Sequence, residues 1–259
     1  MLKVRVIPTL LWKDVGLVKG VRFDSWRRVG TVLPAIRVYD ARDVDELVLA
    51  DITASGEGRA PDHESVADFA RECSVPLTVG GGVRTHQQIV SLLHAGADKV
   101  SLNTALYEQP ALVGEAARRF GSQCVVASID VRTSPSGVRR CLAYAGTRDT
   151  GRDPVDWARE LADRGAGEIL LTSVDRDGTM SGYDVALVAD VAAAVPIPVI
   201  ASGGAGSYDH MIDVVRRGGA SAVAAASMFH FTEQTPAGAK AAMAAAGIPV
   251  RPGFVRAQP

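Results

Sequence analysis

The 259-residue sequence has few cysteines and no metal-binding pattern. Its three cysteines, Cys73, Cys124 and Cys141, include no Cys-x-x-Cys pair, which predicts reduced thiols rather than disulfide bonds or a zinc site. The five histidines are scattered without the spacing of metal ligands. We therefore expect no bound metal and a reducing, cytoplasmic environment.

Long apolar runs and an excess of charge of either sign are also absent. The longest apolar stretch, residues 191–201, is interrupted by Pro196 and Pro198, and the amino terminus lacks the apolar core of a signal peptide. The formal net charge of −1 gives no general attraction to nucleic acid or to a membrane surface. Gly80-Gly81-Gly82 lacks the spacing of a dinucleotide-binding glycine motif, so no cofactor is expected.

Two parts of the chain share one pattern. Residues 168–178 run from Glu168 through a short apolar strand to Gly178, and residues 46–56 follow the same order from Glu46 to Gly56. Eight such strands, apolar and without period-two alternation, alternate with helices, which is typical of a parallel sheet buried on both faces. Together with the half-chain repeat, this predicts an α/β fold: a single (β/α)8 TIM barrel over residues 1–259 with a half-barrel internal repeat.

Two connections are longer than a turn between a strand and a helix requires. Residues 11–30, which include Lys19, follow the first strand predicted at residues 3–10 and show no helical period, so we expect an irregular loop that carries function. Residues 131–151 follow the fifth strand, and Pro135-Ser136-Gly137 predicts the turn of an inserted hairpin. Both connections follow strand ends, where a barrel carries its chemistry.

Glycine and hydroxyl residues are grouped at the carboxyl-terminal ends of the predicted strands. One group follows strands three and four, and the other follows strands seven and eight, with Asp177 and Gly178 nearby: Gly81, Gly82, Asn103 and Thr104, then Gly203, Gly204, Ala226 and Ser227. Glycine lets backbone N–H groups approach a phosphate, so two symmetric groups favour a substrate with a phosphate at each end. The alternative is that these glycines only form tight turns.

Asp130 ends the fifth strand, where a carboxylate is suited to general acid or base catalysis. The alternative is a helix cap or a salt bridge. The internal repeat aligns Asp130 with position 11, and position 11 is leucine. A reaction that needs two carboxylates with different pKa values would therefore lack one of them.

Four charged residues stand at the amino-terminal starts of strands one, two, four and six: Arg5, Glu46, Lys99 and Glu168. Two cations and two anions at these positions predict a ring across the floor of the barrel. Charges on this face usually serve stability, but buried ion pairs stabilise little relative to apolar side chains. A gate over the barrel axis is therefore an equal alternative, and Asp98, beside Lys99, would face a partner docked there.

Motifs along essentially the whole chain resemble the cyclase subunit of imidazole glycerol phosphate synthase. They include Val18-Lys19-Gly20, Asp51-Ile52-Thr53-Ala54-Ser55, Val79-Gly80-Gly81-Gly82, Asn103-Thr104, Asp175-Arg176-Asp177-Gly178-Thr179 and Ala201-Ser202-Gly203-Gly204. The resemblance implies a lyase of histidine biosynthesis that forms a heterodimer with a glutaminase subunit at the amino-terminal face of the barrel. It also implies that ammonia enters through the charged ring, that the two glycine groups hold a bis-phosphate substrate, and that Asp130 and Lys19 are catalytic.

The sequence departs from this family at the second catalytic aspartate, because Leu11 occupies that position. Loss of a general acid or base costs roughly 10²–10⁴ in rate, so the cyclisation is not expected to persist. Residues 7–13 and 23–30 resemble a divergent branch of the family that is associated with acetamidino modification of sugars in surface polysaccharides such as the lipopolysaccharide O-antigen. That resemblance implies a phosphorylated or nucleotide-sugar substrate and an ATP-dependent amidotransferase as a further partner.

The sugar-modifying branch is the function we favour from the sequence. A genuine cyclase of histidine biosynthesis remains open. So does a phosphosugar isomerase on a related half-repeat barrel, which would need no charged floor ring. A further alternative is a non-catalytic conduit that only transports ammonia.

Overall fold

The computed structural model describes residues 2–14 and 16–252. The strands in these ranges are β1 (Arg5–Lys13), β2 (Gly16–Val21), β3 (Asp24–Gly30), β4 (Leu47–Asp51), β5 (Leu77–Gly80), β6 (Lys99–Leu102), β7 (Val125–Thr133), β8 (Arg139–Ala143), β9 (Arg148–Asp149), β10 (Glu168–Ser173), β11 (Val199–Ser202) and β12 (Ala222–Ala225). The helices are α1 (Val32–Ala41), α2 (Ala54–Glu57), α3 (His63–Arg71), α4 (His86–His94), α5 (Thr104–Glu108), α6 (Ala111–Phe120), α7 (Pro154–Asp163), α8 (Val185–Ala194), α9 (Tyr208–Arg216), α10 (Ser227–Phe231) and α11 (Pro236–Ala245).

Eight of these strands form a closed parallel barrel in the order β1, β4, β5, β6, β7, β10, β11, β12. The pairing of β7 with β10 closes the ring. Every residue of β5 and β12 is buried, because these strands lie between the barrel interior and the surrounding helices. The predicted (β/α)8 barrel is confirmed, whereas the similarity of its two halves stays a prediction.

Several helices begin at a residue whose side chain caps the free backbone N–H groups. Thr85 Oγ1 accepts a hydrogen bond from Gln88 N, and Gln88 Oε1 accepts one from Thr85 N, which completes the capping box of α4. Asp153 Oδ1 accepts from Val155 N at the start of α7. None of the helices in the described ranges is long and apolar enough to cross a membrane.

The expectation of an irregular loop at residues 11–30 is wrong. β1 continues to Lys13, and β2 and β3 add an antiparallel hairpin to it. Arg22 and Phe23 form the tip of this hairpin, with φ angles of 55° and 63°. Such left-handed hairpin turns are usually marked by Asn-Gly or a similar pair, and that signal is missing here.

The inserted hairpin after the fifth strand is present. β7 runs beyond the barrel to Thr133, β8 pairs with β7, and β9 pairs with β8. The extension is anchored to the loop after β10, because Thr133 N donates to Asp175 Oδ2 at 2.7 Å. The hairpin therefore stands at the same end of the barrel as the strand tips.

The closure of the barrel depends on a close backbone approach at Gly167. A Cβ there would lie 2.1 Å from the carbonyl oxygen of Ser122, and Gly167 N donates to the Val125 carbonyl at 3.0 Å. We expect Gly167→Ala to lower the free energy of unfolding by about 1–3 kcal/mol, because backbone atoms must move to admit the methyl group. Chemical denaturation measures the change. Gly56→Ala is the control, because a Cβ there meets nothing within 4 Å, and equal stability of the two variants would contradict the prediction.

Candidate active site

A cavity opens at the carboxyl-terminal ends of the barrel strands. Asp130 and Leu11 both line it. The predicted phosphate-binding residues from both glycine groups also line it: Gly81, Gly82, Asn103, Thr104, Asp177, Gly178, Gly203, Gly204, Ala226 and Ser227. Residues from both halves of the chain therefore meet around one space.

Gly81 and Gly203 occupy left-handed turns in which other residues would not fit. Their φ angles are 107° and 88°. A Cβ on Gly81 would lie 2.2 Å from the Asp51 carbonyl oxygen, and one on Gly203 would lie 2.5 Å from the Ser173 carbonyl oxygen. The turns themselves thus require glycine, and the same geometry exposes backbone to the cavity. The turn role and the phosphate role are compatible at both positions.

Part of the hydrogen-bonding capacity of the first glycine group is used within the protein. Gly82 N donates to Ser55 Oγ at 3.2 Å, and Thr104 Oγ1 accepts from Tyr144 N at 3.0 Å. A phosphate bound here would compete with Ser55 for the amide. Ser55 also lines the cavity, although the sequence analysis did not assign it to the site.

Asp130 presents a carboxyl group that titrates near neutral pH. Asn103 Nδ2 donates to its Oδ2 at 2.9 Å. Burial raises the pKa of Asp130 to about 7, and the nearby Asp177 carboxylate adds to this shift. A carboxyl group with such a pKa exists in both protonation states at neutral pH, as a general acid or base must.

Two buried polar atoms of the cavity wall have no hydrogen-bond partner in the described part of the chain. They are Thr9 Oγ1 and Asn103 Oδ1, and both residues line the cavity. Buried polar atoms in folded proteins are nearly always hydrogen-bonded. A polar ligand beside Asp130 would satisfy these two atoms.

Lys19 lies behind the cavity wall rather than on it. Its side chain is buried, and its Nζ donates to the Thr9 carbonyl at 2.9 Å. Burial lowers the pKa of Lys19 to about 7, and the Asp177 carboxylate opposes this shift. Burial raises the pKa of Asp177 to about 6, and Lys19 opposes that shift. Lys19 is therefore placed to hold Asp177 ionised, and its predicted catalytic role would act through that carboxylate.

The side of the cavity formed by β1 and its hairpin is apolar. Leu11 lies there together with Phe23 and Trp26. Gly20 lets the Trp26 ring approach the backbone, since a Cβ on Gly20 would lie 2.7 Å from Trp26 Cε3. The sequence analysis missed both aromatic residues, because it treated their segment as a loop without a fixed position.

The opposite end of the barrel is closed by the four predicted floor residues. Arg5 Nη1 lies 2.7 Å from Glu46 Oε2 and 2.8 Å from Glu168 Oε1. Lys99 Nζ lies 2.6 Å from Glu46 Oε1 and 3.0 Å from Glu168 Oε2. Each cation therefore contacts both anions in a closed ring. Asp98 is exposed next to this ring, and its Oδ2 accepts from Leu77 N at 2.8 Å.

Residues 5–235 match the family described as histidine biosynthesis protein. The chain belongs to this family. The matched range contains all eight barrel strands and every cavity residue named above. The match supports a barrel enzyme of the histidine-pathway isomerase or cyclase type. Within the described ranges, no group of three or more His, Cys, Asp or Glu side chains is placed to hold a metal ion.

In this member of the histidine biosynthesis family, stability should depend on the protonation of Asp130. Its pKa of about 7 in the folded state exceeds the ordinary value of 3.8. The folded protein therefore binds this proton more tightly, and the free energy of unfolding falls as pH rises from about 4 to about 7. We expect Asp130→Asn, which keeps an oxygen for Asn103, to raise the free energy of unfolding at pH 8 by about 1–3 kcal/mol and by much less at pH 4.

Chemical denaturation of wild type and variant at both pH values measures this difference. Titrating groups that do not interact with Asp130 contribute nearly equally to both proteins, and relief of the repulsion between Asp130 and Asp177 raises the free energy of unfolding at pH 8 in the same direction. Asp149→Asn is the matched control, because Asp149 is exposed. An effect of Asp130→Asn that is the same at both pH values would show that the carboxyl group does not titrate in this range.

Proposed function

We propose that this chain is the ammonia-using barrel subunit of a glutamine-dependent synthase that serves acetamidino modification of surface-polysaccharide sugars. The observation that carries the proposal is Leu11, which lines the same cavity as Asp130. The related cyclase implied by the sequence uses an acid at that position. A cavity that keeps its glycine turns and Asp130 but replaces that acid with an apolar side chain supports a changed reaction in a retained site.

The interior of the barrel supports ammonia as the co-substrate. Above the floor ring lies an apolar layer that includes Ile7, Val126 and Leu170. A charged ammonium ion would incur a large desolvation cost in this layer, whereas neutral ammonia would not. Ammonium would therefore have to lose its proton before it entered this layer. The partner that supplies ammonia would be a glutaminase docked at this floor.

Amidine formation needs one group that can both donate and accept a proton. In the activated substrate the amide oxygen carries a phosphoryl or adenylyl group from ATP. Ammonia adds to the carbonyl carbon, the C–O bond breaks, and the oxygen leaves with the phosphate or AMP, so that the amide becomes an amidine. Asp130, with a pKa of about 7, is suited to take a proton from the added nitrogen and to give one to the leaving oxygen. An amide oxygen is a poor leaving group, and its activation by an ATP-dependent amidotransferase is part of the proposal.

The glycine turns support a substrate with phosphate groups. Gly81-Gly82 and Gly203-Gly204 both present backbone to the cavity beside Asp130. A phosphorylated or nucleotide sugar would place its phosphates at these turns and its acetamido group near the carboxyl group. The unpartnered Asn103 Oδ1 would accept a hydrogen bond from the acetamido N–H.

Genuine cyclase activity of histidine biosynthesis is the second candidate. The retained set of Asp130, Asn103, Lys19 and Asp177 favours it, because a raised Asp177 pKa could supply the acid that position 11 lacks. A pure ammonia conduit is the third candidate. It would leave catalysis to another protein, and the geometry of Asp130 does not require that. The three candidates differ in how they respond to substitution.

Restoring an acid at position 11 separates the first two candidates. We expect wild type to show no turnover of the ribulosyl-formimino substrate of the histidine pathway with ammonium salt. We expect Leu11→Asp to gain measurable turnover, because it returns a carboxyl group to a cavity that is otherwise retained. Product formation by the purified protein is the measurement, with Leu11→Asn as a control of similar size without an acid.

Robust wild-type turnover in that assay would assign the chain to histidine biosynthesis. With the substrate that is then turned over, Asp130→Asn should lower turnover by roughly 10²–10⁴. In glutamine-dependent turnover by the assembled complex, a loss on Lys99→Met without any loss on Asp130→Asn would instead identify a conduit.

Docking at the barrel floor is tested by reversing the charge of Asp98. With the cognate glutaminase, we expect Asp98→Lys to lower glutamine-dependent turnover at least about tenfold. The substitution would place a positive charge against the positively charged partner surface that the Asp98 carboxylate would attract. Turnover with added ammonium should be unchanged, since the cavity is not altered.

Two controls accompany this variant. Asp98→Asn keeps the acceptor for Leu77 N and separates charge from local structure. Glu115→Lys reverses an exposed charge on α6 and should affect neither assay. Equal loss of glutamine-dependent and ammonium-dependent turnover in Asp98→Lys would exclude docking at this face.

A further inference from the structure

Arginines without a carboxylate partner surround the cavity mouth. In the described ranges, six exposed arginines on this face take part in no ion pair: Arg22, Arg27, Arg28, Arg132, Arg148 and Arg176. Some arginines on the outer helices are paired, since Arg71, Arg159 and Arg217 each contact an acid one turn away, whereas Arg118 and Arg119 on α6 have no ion pair within the described ranges. The protein as a whole carries a net charge of −1, so these unpaired arginines do not reflect a general excess of positive charge.

Exposed apolar side chains lie on the same face. Of the six large apolar residues that are exposed in the described chain, four belong to segments at this end: Val21, Val138, Met180 and Phe231. Met180 also has a φ angle of 56°, an unfavourable conformation for its side chain. Exposed apolar patches that are surrounded by polar side chains often mark protein interaction sites.

Direct contacts join these segments into one surface. Arg22 N, at the tip of the β2–β3 hairpin, donates to the Asp177 carbonyl at 2.9 Å. The Arg27 guanidinium lies 3.9 Å from the centre of the Phe231 ring, which connects the hairpin with α10. Phe23 lies against Gly146 in the β8–β9 turn, where a Cβ would be 2.8 Å from its ring. The hairpin therefore bridges the mouth and links the surface on three sides.

We propose that this arginine-rich surface docks an acidic partner protein over the cavity mouth, at the end of the barrel opposite the charged floor ring. Arginine and apolar side chains are enriched together in protein interfaces, where carboxylates of a partner complete the ion pairs. A small anion would neutralise only a few neighbouring arginines and would leave Val21, Met180 and Phe231 in water. The partner is thus a protein face that carries carboxylates around an apolar centre.

The proposed function gives such a partner a role, but the docking does not depend on it. An ATP-dependent enzyme seated on this surface would receive ammonia or activate the sugar at the open end of the barrel. Arg22 Nε donates to the Asp175 carbonyl at 3.2 Å, and the Arg27 guanidinium stacks on Phe231, so both groups are held at the surface without an acid in the described part of the chain that neutralises them. Binding at this surface and turnover in the cavity are therefore measured separately.

Binding of acidic polypeptides to the full chain tests the proposal. Fluorescence polarisation at low ionic strength would follow labelled poly-L-glutamate and a labelled copolymer of glutamate and tyrosine. We expect Arg132→Glu/Arg148→Glu to weaken both at least about tenfold, because two attractive charges become repulsive. The control is Arg118→Glu/Arg119→Glu on α6, which also removes two exposed arginines that pair with no acid, one of them near an aromatic ring as Arg148 is.

The apolar part of the surface is tested with the copolymer. It should bind more tightly than poly-L-glutamate, and Met180→Ser/Phe231→Ser should remove that advantage while leaving poly-L-glutamate binding unchanged. Circular dichroism confirms that each variant is folded, and ammonium-dependent turnover, where present, should not change in Arg132→Glu/Arg148→Glu.

Two results would overturn the proposal. Equal loss of peptide binding in the α6 control would mean that only overall charge is sensed. Tighter binding of a single-stranded oligonucleotide, lost in Arg132→Glu/Arg148→Glu, would mean that the surface serves nucleic acid instead. Neither of these two results would bear on the proposed ammonia chemistry, because the binding experiments do not use ammonia.

Discussion

Closure of the parallel sheet between β7 and β10 is the constraint on which the rest of the molecule depends. A closed barrel has no free edge, so all eight strands deliver their carboxyl ends to one opening. Gly81, Asp130 and Gly203, which are far apart in the sequence, meet there in one cavity. The same closure gathers two cations and two anions at the opposite end. Each cation then contacts both anions within 3.0 Å, as only a closed circle of strands permits.

The polarity of the side chains in the barrel interior changes along the barrel axis. The floor is charged, the layer above it is apolar, and the cavity contains Asp130 and Asp177 with Lys19 behind its wall. Because burial disfavours charge, the pKa values of all three groups move toward neutrality from opposite directions. The shifted pKa values therefore follow from the buried position of these groups rather than from a special residue type. Leu11 lines the same cavity and adds no group that can transfer a proton.

The sequence predicted the features that depend on strand order, because strand tips and strand starts are fixed once the barrel is recognised. Asp130, both glycine groups and the four floor residues all lie at such positions. What it missed lies outside the strand repeat. The β2–β3 hairpin has Arg22 and Phe23 at its tip, without the glycine or asparagine that usually marks a left-handed turn. As a result, Phe23, Trp26 and the buried position of Lys19 were not predicted. Ser55 was missed for another reason, since its contact with Gly82 links two different turns.

The two ends of the barrel differ in how their charges are balanced, and this difference bears on how partners would be arranged. At the floor, Arg5 and Lys99 are matched by Glu46 and Glu168, so the ring itself carries little net charge and the exposed Asp98 beside it is the charge that a partner would meet. At the mouth, exposed arginines such as Arg132 and Arg148 have no matching acid in the described chain, and electrostatic attraction extends into solvent. The proposed docking faces lie at opposite ends of the axis, so occupation of one does not exclude the other. Ammonia that entered at a covered floor and left at a covered mouth would cross the chain as a neutral molecule and would not be reprotonated by bulk water.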